Sequence, residues 1–227
     1  MNKPQRVIIW GDSVAKGVIY EEARARYTLL RASAAAIVAE RLDIEILNRA
    51  HLGQTIEGGL EQMEKDLARV VTAEYAVVEF GGNDSDYDWA GISRAPTETH
   101  LSKTPPERFE QRLREAVARL TRAGITPVLC SLPPIVSQRY FEFVSRGNDA
   151  EHILSWLGNI NRIGAYHAIY SEINTRVAHE CGLPLLDVRG AFSGADRNAL
   201  FCMDGIHPNA AGQARIAEAL IRTLRFA

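Results

Sequence analysis

The chain alternates short, continuous apolar runs with longer stretches in which apolar residues recur at every third or fourth position. Continuous apolar runs of this kind are typical of strands that are buried on both faces of a sheet. They predict strands at Arg6–Trp10, Glu45–Leu47, Tyr75–Phe80, Pro127–Cys130 and Leu185–Asp187. The helical spacing predicts helices near Arg31–Leu42, Gly58–Val70, Pro106–Arg122, Ile163–Cys181 and Asn209–Leu224. Strands that alternate with helices in this way predict an α/β fold with a parallel sheet and right-handed crossovers.

The clearest signal for the N-terminus of a helix lies at Thr104. The run Thr104-Pro105-Pro106-Glu107 has the pattern of a capping box with proline in the first turn. Gly124 stands where it can end the same helix. We therefore expect the Thr104 side chain to cap this helix.

Length and composition point to one globular domain. With 227 residues and 46% hydrophobic residues, the chain can bury a sizeable core, and we expect a single domain over residues 1–227. A net charge of −2 gives no electrostatic reason to expect nucleic acid as a partner. The sequence shows no signal-peptide pattern and no run long enough for membrane insertion, which predicts a cytoplasmic protein. The oligomeric state stays open.

Cofactor and metal motifs are missing from the sequence. There is no Gly-x-Gly-x-x-Gly fingerprint, no phosphate-binding loop and no His-Glu-x-x-His pair, so we expect no cofactor and no metal. The aspartates Asp84, Asp86 and Asp88 invite a calcium interpretation, but the glycine and terminal glutamate of a calcium loop are missing. Three widely spaced cysteines fit reduced thiols better than disulfides.

Three residues could supply the roles of a serine hydrolase. Ser13 directly follows the first predicted strand, and Asp204 precedes His207 by three residues. A nucleophile, a general base and a carboxylate that orients the base are the three parts of such a site. Each motif alone has a simpler interpretation, either as a turn or, for Asp204, as the cap of the helix that follows. Together they favour catalysis.

Candidates for oxyanion binding follow the next two strands. The backbone N–H of Ser13, the backbone N–H of Gly53 and the side-chain amide of Asn83 could meet a developing negative charge. Because ligands of open α/β sheets bind beyond the carboxyl ends of the strands, these groups should meet on one rim. Asn83 could instead serve only a left-handed turn. Asp12 is expected to cap the helix after Ser13 and is also a candidate substrate contact.

In chain order, the motifs Gly11-Asp12-Ser13, Gly53, Gly81-x-Asn83-Asp84 and Asp204-x-x-His207 resemble those of the SGNH, or GDSL, hydrolase family. The resemblance covers the whole chain. It departs from the family at Ala50, where glycine is frequent. It implies a three-layer α/β/α sandwich around a five-stranded, flavodoxin-like parallel sheet. It also implies a cofactor-free serine esterase that works through an acyl-enzyme.

The substrate is predicted to be a small-molecule ester. Two segments, Ser85–Lys103 and Gln138–Ile160, do not fit the alternation of strands and helices and are expected to be irregular walls of the site. Tyr87 and Trp89 could stack on a sugar, with Tyr140 as a further contact, which favours a short acyl ester such as an O-acetylated carbohydrate.

Two alternatives stay open for the substrate and the class of protein. The aromatic residues around Phe141 and Trp156 could hold a longer acyl chain, as in a lysophospholipase or thioesterase. An alternative from another class is a binding module without turnover. Transfer of the acyl group to an acceptor other than water is a further possibility, because it uses the same acyl-enzyme.

Overall fold

The computed structural model describes residues 5–69 and 72–224. Its strands are β1 (Arg6–Gly11), β2 (Val18–Glu21), β3 (Arg26–Leu29), β4 (Glu45–Asn48), β5 (Tyr75–Glu79), β6 (Thr126–Cys130) and β7 (Leu185–Leu186). Five of them form a parallel sheet in the order β4-β1-β5-β6-β7. This is the flavodoxin-like order, so the predicted fold class is confirmed.

The helices lie on both faces of this sheet. They are α1 (Ser13–Lys16), α2 (Ala34–Leu42), α3 (Ile56–Leu67), α4 (Trp89–Arg94), α5 (Pro106–Arg122), α6 (Ser137–Val144), α7 (Ala150–Leu157), α8 (Arg162–Glu180), α9 (Arg197–Leu200) and α10 (Ala210–Leu224). One face packs on α3, α5 and α8, and the other on α2 and α10. Val70, the predicted end of α3, lies outside the described residues. None of the described helices is long and apolar enough to cross a membrane.

Alternation along the strands divides the core into two clusters. In β5, Ala76 and Val78 belong to the cluster beneath α3, α5 and α8, whereas Tyr75 and Val77 pack towards α2 and α10. Successive side chains of a strand point to opposite faces, so a continuous apolar run is what a sheet covered on both sides requires.

The last helix is tied to the start of the chain by one buried side chain. Gln213 of α10 accepts a hydrogen bond from the Ala34 N–H at 2.9 Å and donates one to the Val14 carbonyl at 3.2 Å. Gln213 is fully buried. The C-terminal helix therefore fixes both α1 and the start of α2.

Three features differ from the sequence-based expectations. The predicted capping box is not formed: α5 begins after Pro105 without a side-chain cap, and the Thr104 side chain instead hydrogen-bonds Asp84. The two segments expected to be irregular contain α4, α6 and α7. An antiparallel hairpin of β2 and β3, which no pattern predicted, stands beside the carboxyl end of the sheet.

Candidate active site

Ser13 stands at the carboxyl end of β1, which lies between β4 and β5 in the sheet. Strand β1 ends at Gly11, Asp12 caps α1, and Ser13 is the first residue of that helix. The Asp12 Oδ1 atom accepts a hydrogen bond from the Val14 N–H at 2.8 Å. The cap predicted for Asp12 is therefore present, and it fixes the backbone on both sides of Ser13.

His207 and Asp204 approach Ser13 from a loop near the other end of the chain. His207 Nε2 lies 2.9 Å from Ser13 Oγ, and His207 Nδ1 lies 2.5 Å from Asp204 Oδ2. The second carboxylate oxygen of Asp204 accepts the N–H groups of Ile206 and His207, both at 3.2 Å. All three predicted catalytic side chains are buried and form one continuous hydrogen-bonded row.

The other interpretation of Asp204, as the cap of the following helix, does not hold. Asn209 takes that role, because its Oδ1 accepts the N–H groups of Ala211 and Gly212 at 3.0 and 3.1 Å. The Asp204 carboxylate is left to face the imidazole. With Nδ1–H donated to Asp204, Nε2 is free to accept the Ser13 proton, which is the geometry that nucleophilic activation needs.

The three predicted oxyanion donors differ in their surroundings. No described residue accepts the backbone N–H of Ser13 or of Gly53, so both donors are open. Gly53 has a φ of +76°, which explains the glycine, but it is exposed and is not among the residues that line the cleft at Ser13. The Asn83 amide donates to Asp12 Oδ2 at 3.1 Å and to the Gln54 carbonyl at 3.2 Å.

Asn83 is not held in a left-handed turn. Among the described residues, the non-glycine positions with positive φ are Ala25 and Asp43. The simpler explanation for this asparagine is therefore wrong. Its amide instead lines the cleft between Asp12 and the loop that carries Gly53.

A small cleft opens beside Ser13, with a cavity volume of about 120 Å³. One wall is aromatic and is built from Tyr87, Trp89, Tyr140, Trp156 and Tyr166. Tyr87, Trp89 and Tyr140, the predicted substrate contacts, therefore all reach the cleft, as does Asp12. Phe141 does not line it and packs against the apolar cluster behind this wall.

Hydrogen bonds and ring contacts link the residues of the aromatic wall. Asp86 Oδ1 accepts the Trp89 Nε1–H at 2.8 Å and the Tyr140 hydroxyl at 2.6 Å. The Tyr87 ring packs edge-on against Trp156, with centroids 4.9 Å apart. Trp89 is buried, so its face is not free to stack on a sugar in the way the sequence suggested.

The acidic residues after Asn83 have separate structural partners. Asp84 accepts the Ile56 N–H with both carboxylate oxygens, at 3.0 and 3.2 Å, and so holds the start of α3. Burial raises the pKa of Asp84 to about 6. Asp88 caps α4. Within residues 5–69 and 72–224, no three metal-binding side chains are grouped as a metal site would need.

Three residues at the site were not predicted from the sequence: Tyr27, Glu79 and His167. His167 lines the cleft, and its buried Nδ1 has no hydrogen-bond partner among the described residues. Burial lowers the pKa of His167 to about 3, so the ring is neutral. The helical spacing of Ile163, His167 and Tyr170 could have placed it on the inner face of α8.

The chain is similar to known proteins over most of its length. A profile of the GDSL-like Lipase/Acylhydrolase family matches residues 9–215. The chain belongs to this family. The family resemblance noted in the sequence is thereby confirmed. As a member of this family, the protein is a carboxylic ester hydrolase.

Relatives of known name agree with this assignment. Esterase TesA of Pseudomonas aeruginosa is 26% identical over 222 residues, which cover 97% of this chain and 88% of the relative. A lipase/acylhydrolase from Enterococcus faecalis has the same fold, with a TM-score of 0.65 at 16% identity over 98% of this chain and 96% of that one. An acetylxylan esterase from Geobacillus stearothermophilus gives a TM-score of 0.66 at 17% identity, over 98% and 95%.

Proposed function

We propose that this GDSL hydrolase cleaves short-chain esters of small molecules through an acyl-enzyme on Ser13. The observation that carries the proposal is the row Ser13–His207–Asp204 at the edge of a small cleft. His207 Nε2 takes the Ser13 proton while Oγ bonds to the acyl carbon, and the same proton then passes to the departing alcohol. Water, activated by His207, releases the acid.

The oxyanion is assigned to the N–H groups of Ser13 and Gly53 and to the Asn83 amide. Both backbone donors are open. The contact from Asn83 to the Gln54 carbonyl is the one that the amide would exchange for the oxyanion, because its other contact is to a carboxylate. Preorganised hydrogen-bond donors stabilise the transition state more than the bound substrate, because the negative charge on the oxygen is larger in the transition state.

The size of the cleft supports a short acyl group. Typical small-molecule pockets have volumes of roughly 300–1,000 Å³, whereas this cleft measures about 120 Å³. Because Asp86 holds both Trp89 and Tyr140, the wall is poorly able to retreat from a longer chain. In this proposal Tyr87, Trp89 and Tyr140 contact the acyl group. The acetylxylan esterase among the structural relatives makes an O-acetylated carbohydrate a natural first substrate to test.

A second candidate function, hydrolysis of longer acyl chains, is favoured by one observation. An apolar cavity of about 510 Å³ lies between the sheet and the helices α2 and α10. It shares Val14, Glu79 and Pro133 with the lining of the catalytic cleft. A chain that passed these residues would reach enough space for a medium or long acyl group.

A series of nitrophenyl esters from acetate to dodecanoate separates the two functions. For an enzyme specific for short acyl groups, kcat/KM is highest for acetate or butyrate and falls by at least about tenfold at octanoate, because even one misfitting methylene costs about that factor. A kcat/KM that rises to octanoate or beyond supports the second candidate. Trp156→Ala, which enlarges the cleft, should extend activity to longer esters, whereas Val38→Trp, which fills the apolar cavity, should leave acetate hydrolysis unchanged.

A fluorophosphonate probe tests whether there is turnover at all. The probe should label Ser13, and Ser13→Ala should lose both the label and roughly a millionfold in turnover while it keeps the melting temperature. A folded wild-type protein that takes no label would instead be a binding module. Product analysis with added alcohols tells hydrolysis from acyl transfer.

A further inference from the structure

Two buried carboxyl groups meet directly beneath the nucleophile. Glu79 ends β5 and pairs in register with Gly11 at the end of β1. The Asp12 N–H donates to Glu79 Oε2 at 3.2 Å, and the two carboxyl groups are within hydrogen-bond reach of each other. Only 2% of Asp12 and 4% of Glu79 is exposed. The mechanism described above does not use Glu79.

Two glycines leave the space that this pair occupies. A Cβ atom at Gly11 would lie 2.8 Å from Glu79 Oε2, and a Cβ atom at Gly82 would lie 2.9 Å from Asp12 Oδ2. Neither glycine has a positive φ, so the backbone conformation alone does not require glycine there. Gly11 of the first motif and Gly82, which occupies the x position of the third motif, thus make room for the two carboxyl groups.

The pair can hold only one negative charge. Two carboxylates in contact away from water repel each other, so one of them keeps a proton. Burial, followed by the charge of Asp12, raises the pKa of Glu79 well above its usual range. Burial also raises the pKa of Asp12, but the Val14 N–H, His207 and the Asn83 amide favour its ionised form. The proton therefore resides on Glu79.

A further titratable group that faces Glu79 is the Cys130 thiol on β6. Burial raises the pKa of this thiol well above its usual range, so it brings no charge to the pair. Among the described residues, Glu79 Oε1 has no hydrogen-bond partner. The N–H groups of Asp12 and Ala15 favour the ionised form of Glu79, but they weigh less than burial and the charge of Asp12.

We propose that Glu79 is a positioning residue: as a neutral acid it donates a hydrogen bond to the Asp12 carboxylate, and through Asp12 it fixes the catalytic groups. Asp12 Oδ1 holds the start of the helix that carries Ser13, and Asp12 Oδ2 holds the Asn83 amide at 3.1 Å. One proton on Glu79 thereby orients both the nucleophile and an oxyanion donor. This inference rests on the proposed roles of Ser13 and Asn83.

Two substitutions test the donor role. Glu79→Gln stays neutral and can still donate to Asp12 and accept from its N–H, so kcat should remain close to the wild-type value. Glu79→Leu keeps the bulk but removes the donor, and kcat should fall by about a hundredfold with little change in KM, as for a lost oxyanion donor. If Gln is as impaired as Leu, or if Leu is fully active, the proposal is wrong.

Infrared spectroscopy gives a second measurement that needs no turnover. At about pH 8, Asp84 with its pKa of about 6 is ionised. The folded wild-type protein and Ser13→Ala should still show the carbonyl band of a buried carboxylic acid, and Glu79→Gln should lack it. A wild-type spectrum without the band would overturn the inference even if Glu79→Leu failed to fold. If the fluorophosphonate probe did not label Ser13, the proposed function would be overturned instead. The failure of this inference and the failure of the proposed function are therefore distinguished by different measurements.

Discussion

The ring of Tyr27 lies edge-on against the ring of His207, with the two centroids 5.1 Å apart. Tyr27 belongs to β3 of the unpredicted hairpin. The hairpin is held by Tyr20, which packs against Phe143 at 5.3 Å and accepts a hydrogen bond from Arg146 at 3.3 Å. The general base therefore has an aromatic neighbour on a segment outside the main sheet.

Tyr27 should stabilise the catalytic orientation of His207 through its ring and not its hydroxyl. Burial and the charge of Asp204 raise the pKa of Tyr27 to about 12, so its hydroxyl stays neutral at neutral pH. Tyr27→Phe should keep kcat, whereas Tyr27→Ala should lose about three- to tenfold, the value of one aromatic contact. Steady-state kinetics check this, and equal losses in the two variants would assign the effect to the hydroxyl.

Asn83 should matter for the transition state far more than for substrate binding. Asn83→Ala removes one donor and is expected to lower kcat by about a hundred- to a thousandfold with little change in KM. Asn83→Gly also lacks the amide and should lose as much. A nearly active Asn83→Gly would show that the third donor lies elsewhere.

Gly82→Ala tests the space around the carboxyl pair. Because its Cβ would meet Asp12 Oδ2 at 2.9 Å, the substitution should displace Asp12 and lower kcat. Gly58→Ala on α3 is a matched control, since its Cβ finds only the Gln54 side chain at 3.6 Å. The control should keep full activity and gain up to about 1 kcal/mol in stability from helix propensity. Equal activity of the two variants would contradict the displacement.

His167 should make the protein sensitive to mild acid. The folded state keeps the ring neutral, with a pKa of about 3 against 6.5 for an unperturbed histidine. The unfolded state therefore binds the extra proton as the pH falls below 6.5, and the stabilisation from this residue is lost progressively towards pH 3. Urea unfolding at about pH 7 and about pH 5 should show a loss of about 2 kcal/mol from this residue.

His167→Phe separates this effect from the other titrating groups. The variant should lose less stability than the wild type over the same pH interval. A pH dependence identical to that of the wild type would mean that His167 is protonated in the folded protein.

The sequence indicated the sheet and the catalytic row because both depend on local patterns. Apolar runs marked the strands to within a residue or two at most ends, and Ser13, Asp204 and His207 stand in recognisable motifs. The hairpin was missed because its strands have only four residues each, with charged residues at the ends that meet the turn, and because Tyr20 and Tyr27 are held by contacts far away in sequence.

The carboxyl pair was missed for a related reason. Glu79 looks like the polar end of an apolar run, and only the register of β1 with β5 brings it beside Asp12. The capping box failed because Thr104 has a competing partner in Asp84. In both cases a tertiary contact decided what local spacing could not.

The catalytic row joins residues 194 positions apart, and Gln213 of the last helix is bonded to the carbonyl of the residue after Ser13. The nucleophile therefore meets its base only when segments far apart in sequence have packed against each other. Esterase activity would then report in a single assay that this helix has docked.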